Sequence, residues 1–350
     1  IGGTGVTSSG TIDSFGSIFV NGIEFETSNA AILLDGRSAS EDDLAIGMIV
    51  VVSGTLNADG ITGIADSVAF DDELQGPIEA IVPGADGNSL ILTVLGVPVI
   101  VERNVTVFEG TSLVALAIHD LIEISGFLDA NGQIQATRIE RKSRFSPGSS
   151  EVEVKGVVND LSALQFSLRD VVVDFSEADL SELPGGALSD GMAVDIRGTF
   201  SGRVITARKI KKLGGLEDRI GQDEEVGIQG AITNFVSIGR FSVDGLRIDA
   251  SGADLTPANL LFQDGVIVEV EGVWSGTELV ARALRGRRGL VKIEAHVASI
   301  DNGKTTLMMQ LFGGTINVRL NASTTLDDDT DQVARFSIAD IAAGNFLKIE

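Results

Sequence analysis

The chain contains no cysteine, no tyrosine, one tryptophan (Trp274) and two histidines (His119 and His296). Without cysteine there can be no disulfide framework, no thiol nucleophile and no thiolate metal site. The histidines fall in different segments of the chain, so no metal site shared between them is expected, and no Ser–His–Asp or Cys–His set can be assembled from unrelated positions. Both are read as structural or surface residues, and the reading is of a non-enzymatic protein without a cofactor. No apolar run reaches the roughly 18 residues of a membrane-spanning helix. Basic side chains are also scarce, 26 against 50 acids, for a net charge of −24. That field repels phosphate backbones, and the aromatics are limited to 16 Phe and the single Trp, so nucleic acid is excluded as a general partner.

What the chain does have is 42 glycines, 43% apolar residues and a repeat. A hydrophobic strand closing on glycine runs from Met48 to Gly54 and recurs at Leu121 to Gly126, Met192 to Gly198 and Val266 to Gly272. A fifth copy, Asn345 to Glu350, stops before its glycine. The glycines are spaced by 72, 72 and 74 residues, the length of a small all-β domain. The repeats divide as 1–71, 72–142, 143–212, 213–288 and 289–350, with Ser143 to Ser150 and Leu213 to Asp223 as linkers. Within each, the pattern predicts three strands, a short helix and two more strands. Asn21-Gly22 marks a type I′ hairpin, and the stretch Ser38 to Leu44 carries the short helix with a Ser cap. Pro98 places its strand at an edge or a bulge.

Five strands with a helix between the third and fourth is the element order of an OB-fold, so the expectation is a tandem array of five small OB-like five-stranded β-barrels, the last lacking its final strand. An immunoglobulin-type sandwich wants more strands and about 100 residues. Ile1 and the early stop at Glu350 are read as the ends of a processed or trimmed piece, with completion of repeat five by another chain's strand as the alternative.

The pattern Gly10-Thr-Ile-x-x-Phe15-Gly-Ser-Ile-Phe-Val-Asn-Gly22, followed by the strand, glycine and hairpin of 48–68 in tandem, resembles a bacterial domain-of-unknown-function family with OB-like folds. The resemblance implies export, and a lipid anchor upstream of residue 1, since many members look like lipoproteins with a glycine-rich lead similar to Ile1 to Gly5. It supplies no catalytic residues.

Three groups of residues stand out as candidate contacts. Asp327, Asp328, Asp329 and Asp331 form an acidic run that could offer oxygens to calcium, although aspartates are common in turns for backbone reasons. Basic residues gather where the middle repeats end: Arg138, Arg141 and Lys142; Arg208, Lys209, Lys211 and Lys212; Arg282, Arg285, Arg287 and Arg288. Their plain reading is a solvated strand end paired with acids of the next repeat, and their sharper one is docking, because repeat one has ten acids against Arg37 alone. Trp274 is read as either a sugar-stacking or a core residue. Together these features point to an extracellular or cell-surface structural protein, a stalk or the subunit of a head-to-tail filament, partnered by itself or by another surface protein. A binding module for polysaccharide, peptide or divalent cation is the alternative.

Overall fold

The computed structural model describes residues 4–14, 17–84, 87–286, 293–301, 303, 305–311, 314–320 and 337–349. Among them the chain is all-β, and its only helical pieces are four short 3-10 turns. Local chemistry accounts for the turns. Asn21 and Gly22 both take positive φ (51° and 75°), joining strands Ile18–Val20 and Ile23–Glu26 as a type I′ turn does. Ser40 caps the turn Glu41–Asp43 in a reciprocal arrangement with Asp43, and Ser337 does the same with Asp340 at Ile338–Asp340. Pro98 pairs with Thr93 on one side, while the parallel partner on the other side joins only from Val99 onward. The missing N–H therefore interrupts no ladder.

Two backbone features recur through the repeats. Before the fourth strand of each stands a residue in the left-handed region: Gly47, His119, Gly191, Gly265 and Gly344. Its amide donates to a carbonyl within the repeat's first strand or just beyond it (Ile12, Ile78, Val158, Ile232, Val297) at 2.8–3.0 Å. The second feature is the glycine that ends the repeated motif. Gly54, Gly126, Gly198 and Gly272 each sit at a register shift between the fourth and fifth strands. A Cβ there would lie 2.1–2.6 Å from a carbonyl oxygen of the facing strand. Each is therefore a β-bulge where two backbones come too close for any side chain.

The expected array of separate OB-like barrels is not what the chain builds. Strands from different repeats share sheets: repeats one and four form one 13-stranded sheet, and repeats two and three an 11-stranded sheet. Strand Thr4–Thr11 runs parallel to Glu225–Ser237, pairing Val6 with Glu225 through Ser9 with Ile228. Strand Leu74–Pro83 bonds to Glu151–Val157 through Gln75 with Glu153 and Leu74 with Val154. The coils of strand stack on one another in the manner of a β-solenoid, and residues 1–288 form one compact unit. The physical reason is that an isolated 70-residue β-domain leaves unpaired edge groups and buries too little surface, and stacking corrects both.

Stacking also buries both faces of some strands. In Val152–Val154, Val194–Ile196 and Val226–Ile232 consecutive residues are buried, so polar side chains on the second face are enclosed as well. Trp274 packs in the core of repeat four with Val226, Leu279 and Ala281. Residues 289–350 form a second unit, whose four-stranded sheet orders strands Gly314–Arg319, Thr306–Leu311, Ile293–Ile300 and Phe346–Ile349 around Val297, Leu307, Met309 and Ile341. There His296 Nδ1 lies 3.1 Å from the Gly344 carbonyl and its ring packs edge-on against Phe346.

Candidate functional site

The junction of repeats one, two and three holds a buried cluster of charge. Asp35 occupies the left-handed turn after strand Ala31–Leu34, its amide donating to the Phe70 carbonyl at 2.9 Å. Asp72 lies just before strand Leu74–Pro83, and its amide approaches Asp35 Oδ1 at 3.3 Å. Glu123, Glu153 and Asp195 sit on the second faces of three strands: Glu123 and Glu153 stand on either side of Gln75, Glu153 also stands opposite Arg197, and Asp195 opposite Lys155. Asp72, Glu153 and Asp195 are 2%, 4% and 1% exposed.

Cations thread between these acids. Arg197 reaches Glu153 at 2.9 Å and Asp35 at 3.2 Å, joining repeats three and one. Lys211 lies 3.1 Å from both Asp71 and Asp195. Its approach to Asp195 lacks hydrogen-bond geometry, so that attraction is Coulombic. Lys155 pairs with Glu73 at 3.0 Å and donates to the Asp71 carbonyl, and Lys142 meets Glu123 at 2.7 Å. Burial works against the charged forms of Lys155, Arg197 and Lys211, but the acids around them, Glu73, Glu153 and Asp195 foremost, outweigh it and hold all three above their ordinary values. The acids respond the other way. Burial, reinforced by Glu123 and Asp35, pushes Asp72 up to about 10, and burial with Asp195 pushes Glu153 up to about 8 despite Arg197.

Beside the cluster lies a cavity of about 530 Å³ to which all four repeats of the first unit contribute, among them Ser9, Phe127, Lys155, Arg169, Lys212 and Asp244. Asp244 faces this space, so water reaches it while protein surrounds it. Burial and Glu73 push its carboxyl up to about 6 against the opposing pull of Lys155. Polar contacts also link the two sheets: Thr137 Oγ1 donates to the Gly47 carbonyl at 2.6 Å, and Gln135 Nε2 to the Gly265 carbonyl at 3.2 Å.

The residues singled out from the sequence are placed as follows. Arg138 is buried and pairs with Glu109 and Glu140 of its own repeat, and Arg141 lies 3.2 Å from Asp120. Arg208 and Lys209 make exposed contacts to Glu151 and Glu182. Lys211 belongs to the buried cluster and Lys212 lines the cavity. Arg282 pairs with Glu225, and Arg285 with Glu269 and Glu271, all inside repeat four. Arg287, Arg288, Asp327, Asp328, Asp329 and Asp331 lie outside the described residues. The attraction between an acidic first repeat and a basic later one is realised within a single chain, through Asp71 with Lys211 and Asp35 with Arg197.

Residues 4–69 and 75–140 each match DUF5666, a domain of unknown function. Two tandem stretches of the chain are thus similar to that family's model, with Asp35 in the first and Glu123 in the second. Asp72 stands in the short gap between them, at 70–74. No curated protein matches the chain. Sequence reasoning missed Asp35, Asp72, Glu123, Glu153 and Asp195. A signal was present in that Glu153 and Asp195 interrupt strands of valine and isoleucine, Val152-Glu-Val154 and Val194-Asp-Ile196, but alternation alone assigns such residues to solvent.

Proposed function

We propose that this is a non-enzymatic structural protein of the bacterial cell surface or extracellular space, a stalk or filament component whose first four repeats act as one rigid block. The observation that carries the reading is the sharing of strands between repeats one and four and between two and three. Flexibly strung beads would serve a reach or capture role, whereas strands bonded across repeats resist bending and pulling. The resemblance of Gly10 to Gly22 to an exported family supports the location. A second reading has its own observation. The cavity is lined by five basic groups (Lys155, Arg169, Lys211, Lys212, Arg219) against three acids (Asp71, Glu73, Asp244), although the whole chain is strongly acidic. A compact ligand bearing acidic groups would suit it. Electron microscopy of protein released from its native cells, together with native mass spectrometry, separates the two. Regular fibres or stalks without a co-purifying small molecule are expected. Dispersed particles, each carrying a bound anion, would overturn the structural reading in favour of the second.

A further inference from the structure

Six carboxylates (Asp35, Asp72, Glu73, Glu123, Glu153, Asp195) meet at the three-repeat junction, and four cations face them, Lys155 standing opposite Asp195 and pairing with Glu73. Arg197 contacts Asp35 and Glu153, Lys142 contacts Glu123, and Lys211 contacts Asp195. Lys142 and Lys211 are further shared with Glu140 and Asp71. Fully ionised, the junction would hold at least two negative charges more than its side chains neutralise; without a cation, protons on Asp72 and Glu153 relieve that surplus, and a bound cation would take their place. Asp72 is where the deficit falls. It is 2% exposed, and its Oδ1 has no hydrogen-bond partner among the described residues.

One oxygen each of Asp35, Asp72 and Glu153 lies within 4.8 Å of the other two. Two oxygens 2.3–2.6 Å from one calcium ion are at most about 5 Å apart and three evenly spaced ones about 4.5 Å, so a trio within 4.8 Å is of the size that one calcium bridges. Magnesium demands near-octahedral geometry and gives up its waters reluctantly, so a buried set of three carboxylates suits it less than calcium. The donors are all carboxylate oxygens, which favours a hard cation over zinc or copper. Arg197, bonded to Asp35 and Glu153, holds two of the three carboxylates in place.

We propose that Asp35, Asp72 and Glu153 bind one calcium ion, which neutralises the surplus charge and ties repeats one, two and three together. The inference holds whether the block serves as scaffold or as binder. The test is titration calorimetry of calcium chloride, and separately magnesium chloride, into the full chain stripped with EDTA at pH 7.5, for the wild type, Asp72→Asn and Glu153→Gln. One saturable calcium per chain is expected, with weaker magnesium binding and at least a tenfold loss of calcium affinity in either variant. No saturable heat, or heat unchanged in both variants, would overturn the proposal, the latter by placing the ion elsewhere. Should either variant fail to fold, the wild type alone decides: a urea midpoint no higher in saturating calcium than in EDTA also overturns it.

Discussion

Gly198→Ala tests two structural arguments at once, the bulge and the block. An added Cβ would stand 2.2 Å from the Thr206 carbonyl oxygen and 2.9 Å from the Ala207 Cα. Ordinary carbon–oxygen contact begins near 3.4 Å, so the facing strand must retreat by about 1 Å, and because the obstacle is backbone no rotamer change relieves it. The expected cost is about 3 kcal/mol, the upper part of the usual range for overpacking. With a urea dependence of about 3 kcal/mol per molar, the midpoint should fall by about 1 M. Trp274 supplies the readout, since it is the only tryptophan, is buried, and lies in repeat four while the substitution is in repeat three. Its fluorescence should report the same lowered midpoint as circular dichroism. The control is Gly252→Ala, where a Cβ meets nothing within 4 Å and φ is not positive. That change should be neutral or stabilising by about 0.5 kcal/mol through the unfolded chain. An unchanged midpoint for Gly198→Ala would refute the bulge argument. A shift seen by dichroism and not by Trp274 would refute the single block.

Three further outcomes are expected. Arg197→Met, which leaves Asp35 and Glu153 without their shared cation, should lower stability by about 3 kcal/mol in EDTA at pH 7, measured as a urea midpoint. Asp244, held at about 6 in the fold against an ordinary 3.8, makes ionisation unfavourable to folding above pH 6; that penalty disappears as pH falls from 6 to 4. Asp244→Asn should therefore be more stable than the wild type at pH 7 and no more stable at pH 4, with paired urea titrations at the two values deciding. His119 fills, at φ 69°, a position where the other four repeats use glycine, and its side chain is exposed, so His119→Gly should raise the thermal midpoint by an amount equivalent to about 1 kcal/mol.

Much of the local architecture was legible in the sequence. Asn21-Gly22 specifies its hairpin, Ser40 its capped turn, and the motif ending in Gly54, Gly126, Gly198 and Gly272 the repeat itself, because each acts through neighbours in the chain or one facing strand. The way the repeats combine was not legible. The pairing of Val6 with Glu225 depends on two edges more than 200 residues apart, and the hydrophobic pattern of a strand does not say which distant edge it will meet. Independent barrels were the natural expectation for a 70-residue period, and shared edges replaced them. The charged junction stayed hidden for the same reason. Glu153 and Asp195 alternate with core residues as solvent-facing side chains do, and contacts from repeats one and two, Asp35, Asp71 and Asp72 among them, enclose that face. Asp35 and Asp72, in a turn and a connection, looked like ordinary surface acids.

The parallel seam between Thr4–Thr11 and Glu225–Ser237 sets a condition on biogenesis. Strand Thr4–Thr11 leaves the ribosome long before its parallel partner and can complete its pairing only once residue 225 has followed it. At synthesis rates of 5–20 residues per second that interval is roughly 10 to 40 s, during which one edge of Thr4–Thr11 has no native neighbour. Contacts of such sequence separation make folding slow, and an uncovered edge is a template for pairing between nascent chains. Repeat one is thus committed to waiting, and a holdase chaperone or an export channel that keeps the chain extended until repeat four emerges would protect it from pairing with the wrong copy.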